Sequence, residues 1–317
     1  MAAETAWWKK IVGIYKDDPE FEEAMRPGRE YRFDDSKTET IVNVASVPQR
    51  SPFRYPGGKT WLVPRLRRWL LSLPRKPANF IEPFAGGGII SLTVAFENLA
   101  EQVTMVELDA DVAAVWQTIL DGDARWLADT VLAFPFTPET VAAELARPAT
   151  SLKERAFQTL LKNRTHHGGI LAPGSGRIKH GENGKGLASR WYPQTLRSRI
   201  LNIEKVAHKI RFLHADGLQA LNNNADQSEA VFFIDPPYTA SGKKAGARLY
   251  TYNELDHEEL FRIAETLKGD FLMTYDNAEG VQCLADQHGF ATLAIPMKNT
   301  HHAKLTELLI GRDLCWV

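Results

Sequence analysis

Residues 79–98 constrain the fold of this chain more than any other stretch. Residues 79–84 have the apolar character of a buried strand, Ala85-Gly86-Gly87-Gly88 follows as a glycine-rich turn, and residues 89–98 have a helical pattern. A strand, a glycine-rich turn and a helix in this order predict the first unit of a parallel α/β sheet, whose ligands bind beyond the carboxyl ends of the strands. The spacing differs from Gly-x-Gly-x-x-Gly, so the turn indicates a nucleoside-type ligand without implying a dinucleotide.

The alternation of strand and helix signals continues on both sides of a long interruption. The other predicted strands lie at residues 102–106, 209–214, 230–234, 270–275, 291–296 and 305–310. Helical patterns between them lie at residues 111–120, 256–267 and 281–288, and residues 216–222 fit either a helix or a turn. This order predicts a Rossmann-like α/β sheet.

The interruption predicts an inserted region of different character. Helical stretches at residues 138–145 and 153–162 lead into a basic, glycine-rich loop that extends to residue 192. A loop of that length in a compact domain is usually functional. We therefore divide the chain into an N-terminal extension of unknown role at 1–48, an α/β domain at 49–120 and 205–317, and a mainly helical insertion at 121–204.

The distribution of charge indicates what the insertion binds. The whole chain has a formal net charge of -1 and 44% apolar residues, which supports a proper core but suggests no partner. Between residues 151 and 211, thirteen Lys and Arg residues are opposed by only three Glu residues, a local charge of +10. So few acidic residues disfavour an ordinary solvated helix face, and basic residues interleaved with glycines and aromatics are typical of phosphate contacts. The insertion is predicted to bind a polyanion.

Other residue types argue against several classes of site. Cys283 and Cys315 are too few for a disulfide framework or a metal cluster, and His166-His167 lacks Cys or acidic partners. Residues 1–10 have no secretory pattern, and no apolar run approaches the roughly 18 residues that a membrane span needs. We expect a soluble, cytoplasmic protein that binds neither a metal nor a membrane.

The residues after the predicted strand at 230–234 form a rigid tip, Asp235-Pro236-Pro237-Tyr238. Proline cannot donate to a β-ladder, so two prolines end the strand at once and leave nearby carbonyls available as acceptors. Taken alone, the tip fits an exposed turn and a ligand clamp equally well. A flat ligand with an exocyclic amino group would suit the clamp, with its amino hydrogens on Asp235 and a backbone carbonyl and its face on Tyr238.

Two further patterns could contact a ligand. Gly57-Gly58-Lys59 precedes an amphipathic helix at 61–73, so its backbone can approach an anionic group near the helix N-terminus. By itself this pattern favours a plain Pro-Gly-Gly turn. Glu107 ends the second strand, where a carboxylate can bind a ribose diol, and Asp109 is expected to cap the following helix.

Four motifs, in one order, resemble those of the Dam-type (alpha-class) DNA adenine N6-methyltransferases, whose target-recognition region is inserted between the cofactor motif and the catalytic motif. Residues 53–59 are similar to the Gly-Gly-Lys motif of that family, and residues 80–88 to its Phe-x-Gly-x-Gly loop. Asn163-Arg164 with Gly168-Gly169 resembles its Asn-Arg loop, and residues 235–238 resemble its catalytic motif. Residues 307–310 also look like its last strand, so the resemblance covers about residues 50–313.

The resemblance implies a cofactor, S-adenosylmethionine, and a partner, double-stranded DNA. The implied cofactor-binding residues are Tyr55, Gly57, Gly58, Lys59, Glu82, Pro83, Phe84, Gly86, Gly88, Glu107, Asp216 and Asp235. The implied catalytic residues are Asp235, Pro236, Pro237 and Tyr238. The implied DNA-binding residues are Asn163, Arg164, His166, His167, Arg177, Lys179, Lys185 and Arg190. The family often has aspartate where this chain has Glu107, a conservative difference that keeps the ribose-binding role.

The implied reaction is methyl transfer to the exocyclic amino nitrogen of an adenine that has flipped out of the duplex. Asp235 and the Pro236 carbonyl would accept hydrogen bonds from that amino group while Tyr238 stacks on the ring. The alternatives are an amino methyltransferase acting on cytosine, RNA or protein glutamine, and a catalytically silent DNA-binding relative. The recognised DNA sequence and the oligomeric state stay open. The resemblance implies a prokaryotic or phage-encoded enzyme. Such an enzyme could act alone or belong to a restriction-modification system with an endonuclease partner.

Overall fold

A computed structural model of the chain describes residues 46–55, 57–181, 184–237, 255–298 and 304–317. Within these residues the strands are β1 (Asn79–Glu82), β2 (Gln102–Glu107), β3 (Ile210–His214), β4 (Ala230–Ile234), β5 (Asp270–Asp276), β6 (Ala291–Lys298) and β7 (Lys304–Gly311). The α-helices are α1 (Val63–Ser72), α2 (Ile89–Phe96), α3 (Ala110–Leu120), α4 (Ala124–Ala133), α5 (Pro138–Ala146), α6 (Leu152–Thr165), α7 (Pro193–Val206), α8 (Gly217–Asn224), α9 (His257–Thr266) and α10 (Glu279–Gln287).

The described strands form one seven-stranded sheet in the order β3-β2-β1-β4-β5-β7-β6. The pairs from β3 to β5 are parallel, whereas β7 is antiparallel to both β5 and β6. The chain changes direction across the sheet between β1 and β4, which is the switch point where open α/β sheets bind ligands. The predicted Rossmann-like α/β sheet is confirmed, and the predicted strands agree closely with the observed ones.

Helices cover both faces of the sheet, because alternate residues of a strand point to opposite faces. In β4, Val231 and Phe233 join a hydrophobic cluster that includes residues of α1, α2 and α3. Phe232 and Ile234 join a second cluster that includes residues of α9 and α10. A strand buried on both faces explains why residues 230–234 are apolar without alternation.

The inserted region is mainly helical, as predicted, and it shares the hydrophobic core of the sheet. Leu160 of α6 and Ile200 of α7 belong to the same cluster as Phe80 of β1 and Val115 of α3. Helix α6 lies against α3, and α7 lies against α4 and α2. These helices pack on the helices that cover the sheet. The division into an α/β domain and an insertion at 121–204 remains a prediction.

Helices α4 and α7 lie where the sequence patterns predict no element. Helix α7 begins at Pro193, a residue that is favourable in the first turn because its missing N–H would be unpaired there anyway. Leu196, Ile200 and Ile203 repeat at helical spacing and are buried. This apolar stripe is present in the sequence, but the basic residues between its members favour a loop interpretation.

Candidate active site

Acidic side chains gather at the edge of the sheet where the parallel strands end. Glu82 is the last residue of β1, Glu107 is the last residue of β2, and Asp235 directly follows β4. Because β2, β1 and β4 are neighbours in the sheet, these three carboxyl groups lie close together. Glu307 of β7 reaches the same edge, where it is paired in register with Asp276 of β5. Ligands of open α/β sheets bind at this edge.

Lys59 is the cation at the centre of the acidic edge. It immediately precedes a short 3-10 turn, Thr60–Leu62, that leads into α1, and only 3% of it is exposed. Its Nζ lies 3.0 Å from Asp235 Oδ1 and 3.6 Å from Glu307 Oε2, and it donates to the Gly57 carbonyl at 3.0 Å. Burial alone would lower the pKa of Lys59, but the Asp235 and Glu307 carboxylates outweigh burial and raise it. Lys59 therefore stays protonated and holds both carboxylates in place.

Asp235 is held from two sides. Its Oδ1 accepts a hydrogen bond from Thr274 Oγ1 at 2.7 Å in addition to the ion pair with Lys59. Thr274 is fully buried on β5, the strand that pairs with β4. The Asp235 side chain remains 20% exposed, so it combines a fixed orientation with access from solvent. Pro236 is buried and Pro237 half-buried, and Tyr238, predicted to stack on a base, lies outside the described residues.

The sequence patterns do not single out Thr274 or Glu307 as site residues. Each adjoins a run of three apolar residues, 271–273 before Thr274 and 308–310 after Glu307, and a polar residue at the end of such a run is the local signal that could have found them. Their partners lie far away along the chain, so only the strand order and register reveal that both contribute to the environment of Lys59 and Asp235.

Glu82 is buried behind Asp235, at the end of β1. Its Oε2 accepts from the backbone N–H of Ser91 at 3.0 Å and from the Ser91 hydroxyl. Burial raises the pKa of Glu82 to about 8, against the hydrogen bonds from Ser91 and with a further contribution from the Asp235 and Glu107 carboxylates. Glu82 therefore carries a proton in much of the population at neutral pH.

Glu107 anchors the glycine-rich turn to the end of β2. Its Oε2 accepts from the Gly86 N–H at 2.9 Å, and its Oε1 accepts from the Asp109 N–H at 2.8 Å. Burial raises the pKa of Glu107 to about 7, while the backbone N–H donors oppose the rise. Asp109 caps α3 by accepting from the Asp111 N–H at 2.8 Å, as predicted. The ribose-binding role of Glu107 stays a prediction.

Tyr55 lies directly on the glycine-rich turn. A Cβ at Gly86 would come within 2.6 Å of the Tyr55 ring, and one at Gly87 within 2.7 Å of Tyr55 Cβ. Gly86 also has a φ of 48°, in the left-handed region that favours glycine. Gly88 differs, because its α-carbon faces Met105 and Trp116 in the core. Of the predicted cofactor glycines in this turn, Gly86 borders the edge of the sheet and Gly88 serves close packing instead.

The other predicted cofactor residues lie around this edge. Gly57 and Gly58 are exposed beside Lys59. The Phe84 ring and the Pro83 carbonyl abut Gly217, the first residue of α8. Asp216 is exposed, and its Oδ1 accepts from the Gln219 N–H at 2.9 Å, so it caps α8. The contact of these residues with a cofactor stays a prediction.

Asn163 and Arg164, predicted to contact DNA, lie in the interior and are only 1% and 5% exposed. Asn163 Oδ1 accepts from the Arg54 N–H at 2.9 Å, and its Nδ2 donates to the carbonyls of Arg54 at 2.9 Å and Gly169 at 2.7 Å. Arg164 Nη2 donates to the Pro52 carbonyl. Because its amide is used inside the protein, Asn163 positions residues 52–55 in this structure and does not present a side chain to DNA.

The remaining predicted DNA-binding residues differ in exposure. His167, Arg177, Lys179 and Lys185 are exposed, whereas His166 and Arg190 are half-buried. His166 Nδ1 lies 2.8 Å from Ser175 Oγ, and burial, followed by repulsion from Lys162 and Arg177, lowers the pKa of His166 to about 4. A neutral His166 adds no charge for a phosphate, so the predicted electrostatic contact falls to the exposed cations.

Two kinds of feature are missing from the part of the chain that the structure describes. It contains no group of three or more His, Cys, Asp or Glu residues that could hold a metal ion. None of its helices is both long enough and apolar enough to cross a lipid bilayer.

Residues 55–135 match the family model of D12 class N6 adenine-specific DNA methyltransferases. The matched stretch includes Tyr55, Lys59, the glycine-rich turn and Glu107, and it confirms the predicted resemblance to the adenine methyltransferase family there. The match ends before Asp235. No curated protein sequence matches the chain.

Several solved structures superimpose on much of the chain at low sequence identity. A putative RNA methyltransferase from Pyrococcus horikoshii is 12% identical, with a TM-score of 0.38 over 92% of this chain and 96% of its own. Magnesium protoporphyrin IX methyltransferase from Synechocystis PCC 6803, solved with bound S-adenosylmethionine, is 11% identical, with a TM-score of 0.34 over 99% and 100% of the two chains. Likenesses of this size do not distinguish one substrate from another.

Proposed function

We propose that this methyltransferase transfers a methyl group from S-adenosylmethionine to the exocyclic amino nitrogen of adenine in duplex DNA. The observation that carries the proposal is the Asp235 carboxylate, fixed by Lys59 and Thr274 at the end of β4 and followed by two prolines. The family match over residues 55–135 is separate support, because it does not include Asp235. The matched stretch contains Lys59 and the glycine-rich turn instead.

The acidic edge suits a cationic cofactor. S-Adenosylmethionine carries a sulfonium and an amino group, both positive at neutral pH. Lys59 already faces two carboxylates, Asp235 and Glu307, and the carboxyl groups of Glu82 and Glu107 lie further along the same edge. Glu107 already holds the Gly86 N–H and is the residue suited to ribose hydroxyls, beside Tyr55 on the glycine-rich turn. When bound, the cofactor supplies an electrophilic methyl group.

The Asp235-Pro236-Pro237 tip suits an adenine amino group. The lone pair of that nitrogen is delocalised into the ring, which makes it a poor nucleophile. Hydrogen bonds from its two hydrogens to Asp235 and the Pro236 carbonyl favour a more pyramidal nitrogen, and the carboxylate stabilises the positive charge that develops during attack. Because Lys59 and Thr274 fix Asp235 beforehand, no reorganisation of the carboxylate is needed at that moment.

An adenine within a duplex cannot reach this tip, so the base must flip out at a cost of a few kcal/mol in stacking and pairing. Stacking on Tyr238 would recover about 1–3 kcal/mol of that cost. The exposed basic residues of the insertion, Arg177, Lys179 and Lys185, would hold the surrounding phosphates.

The first experiment tests substrate and product together. The protein is incubated with cofactor labelled in its methyl group and with duplex DNA from a methylation-free host, RNA or a protein extract, and the labelled material is digested and identified. We expect label in duplex DNA as N6-methyladenine. Label found only in RNA, in cytosine or in protein would refute the proposal.

The second experiment tests the role of Asp235. Asp235→Ala removes the acceptor for the amino group, so we expect methyl transfer to fall by at least about 100-fold, typical for loss of one preorganised transition-state contact, while DNA binding stays measurable. Asp226→Asn is the matched control, because the Asp226 side chain is 91% exposed and forms a surface ion pair with Lys268. Full activity in Asp235→Ala would show that another group holds the substrate.

A further inference from the structure

Arginine side chains from three separate parts of the chain converge next to the glycine-rich turn. Arg164 at the end of α6 donates through Nη2 to the Pro52 carbonyl, and Arg199 of α7 donates through Nη1 to the Ser51 carbonyl at 3.0 Å. The two guanidinium groups therefore bind consecutive peptide carbonyls and lie side by side. Arg54 follows in the same segment, with its backbone held by Asn163. Arg190, just before α7, completes the cluster.

Three members of this cluster, Arg54, Arg164 and Arg199, lack a carboxylate partner within the described part of the chain. Arg164 is only 5% exposed, and its Nε is buried without a hydrogen-bond partner. Burial, followed by repulsion from Arg199, Arg54 and Arg190, lowers the pKa of Arg164 to about 9. Burial and the neighbouring Arg190 also lower the pKa of Arg54.

Such a cluster is unfavourable unless an anion joins it. A buried guanidinium donor without an acceptor loses the hydration it had in the unfolded chain, and like charges around it add repulsion. The planar fork of arginine matches the oxygens of a phosphate, and several forks can share one phosphate. Tyr192 lies beside Arg54 and Arg164, and its hydroxyl donates to the Ser189 carbonyl at 2.9 Å. Because Tyr192 is 46% exposed, it marks the solvent side of the cluster.

We infer that Arg54, Arg164, Arg190 and Arg199 form a binding site for one backbone phosphate of DNA. The site adjoins the cofactor loop, because Tyr55 follows Arg54 directly and lies on Gly86 and Gly87. Arg164 forms its floor, and the half-buried Arg54, Arg190 and Arg199 form its walls. The inference rests on the proposed function in taking DNA as the source of the phosphate. Inorganic phosphate offers the same chemistry and is separated by experiment.

The test measures DNA affinity as a function of salt for Arg54→Gln and Arg199→Gln. Loss of one phosphate contact is expected to reduce the slope of log K against log salt by about 0.9. Arg197→Gln is the matched control, because Arg197 lies on the same helix α7 but points to Asp129, with Nε 3.1 Å from Oδ1. We expect the control to keep the wild-type slope. Wild-type slopes in both cluster variants would overturn the inference.

A second measurement locates the phosphate. Single phosphates of a bound duplex are replaced, one position at a time, by neutral methylphosphonates. We expect one position at which the methylphosphonate weakens DNA binding by wild-type protein but does not weaken binding by Arg54→Gln any further. At that position the substitution and the methylphosphonate remove the same contact. Arg54 makes no side-chain hydrogen bond to a described residue, so this variant should fold normally, which its melting temperature checks. Equal further losses at every position would contradict a shared contact.

A third measurement separates the sources of the anion. The melting temperatures of wild-type protein and Arg54→Gln are compared with and without inorganic phosphate. If phosphate stabilises only the wild-type protein and the two proteins bind DNA equally well, the cluster is a site for a free anion. The inference then fails. These binding experiments are independent of catalysis. If the protein methylates adenine but no phosphate contact depends on these arginines, the inference is wrong and the proposed function stands. If a phosphate contact is located but adenine is not methylated, only the proposed function is wrong.

Discussion

Glu82 and Glu107 are the two site carboxyls that titrate near neutral pH. Burial raises their pKa values to about 8 and about 7, so in the free protein each is partly protonated at pH 7. A cation bound beside them favours their ionised forms and lowers both pKa values, so binding must expel protons. The edge of the sheet therefore couples occupancy by a cation to proton release.

The first prediction at the residue scale concerns pH. Affinity for S-adenosylmethionine should rise as pH increases through the pKa values of Glu107 and Glu82, about 7 and about 8, and level off above them. S-Adenosylhomocysteine, which lacks the sulfonium charge, should show a shallower rise. Calorimetric titrations at several pH values, in buffers of different ionisation enthalpy, measure both affinity and protons released. The same measurements are made on Glu82→Gln. If the affinity depends on pH equally for the two ligands, both in wild-type protein and in this variant, Glu82 and Glu107 are not the groups that titrate on binding.

Sequence patterns predicted the residues whose role depends on a neighbouring element of the chain. Asp235 after β4, Glu107 after β2 and the Asp109 cap all follow from where a strand or a helix ends. Glu307 and Thr274 could not be found in this way, because they act on residues far along the chain and only through the register of β4, β5 and β7. The motif match at Asn163 stays a prediction, and the structure shows its buried amide bonded to Arg54 and Gly169.

At the scale of elements, Asn163 joins α6 to the segment at residues 51–55. It makes three hydrogen bonds, to the N–H and carbonyl of Arg54 and to the carbonyl of Gly169. Gly169 must be glycine here, because a Cβ would lie 2.2 Å from the Arg54 carbonyl oxygen and its φ is +75°. The Asn-Arg motif and Gly169 therefore form one close contact with the segment that precedes Lys59.

The prediction at this scale is that Asn163→Ala destabilises the protein. Each buried backbone group left unpaired costs about 1–3 kcal/mol, so the free energy of unfolding should fall by at least that amount. Urea unfolding measures the loss. Asn223→Ala, on the exposed surface of α8, should change it by less than about 0.5 kcal/mol. Equal stability of the two variants would mean that the Asn163 contacts are replaced by water without loss.

Elements buried on both faces were the easiest to predict. The strands stand out because burial on both faces demands continuous apolar runs, as in β4. Helix α7 was not predicted because charged and polar residues separate the members of its apolar stripe, Leu196, Ile200 and Ile203, and because it directly follows a basic, glycine-rich loop.

At the scale of the whole molecule, one hydrophobic cluster joins the sheet to the inserted helices. Phe80 of β1, Trp116 of α3, Leu160 of α6 and Ile200 of α7 all belong to it. An insertion with its own separate core would leave the sheet intact when it opened. Here α2 and α3 lose part of their cover if α6 and α7 leave, because the inserted helices lie on them.

The prediction at this scale is a single cooperative unfolding transition of the described core. Far-ultraviolet circular dichroism reports all helices. Tryptophan fluorescence sums over the eight tryptophans of the chain, among them Trp116 near the glycine-rich turn and Trp191 in the insertion. The two signals should follow one curve in guanidinium chloride, the usual criterion for all-or-none unfolding. Two separated transitions would show that the insertion unfolds independently.

The segment at residues 51–55 has a consequence for the binding of two ligands. Ser51 and Pro52 accept hydrogen bonds from Arg199 and Arg164, while the Ser51 hydroxyl donates to the Gly87 carbonyl and Tyr55 covers the same turn. A phosphate at one end and a cofactor at the other would thus contact the same short segment. Any effect of bound DNA on the affinity for cofactor must then equal the effect of bound cofactor on the affinity for DNA, because the coupling between two binding sites is reciprocal.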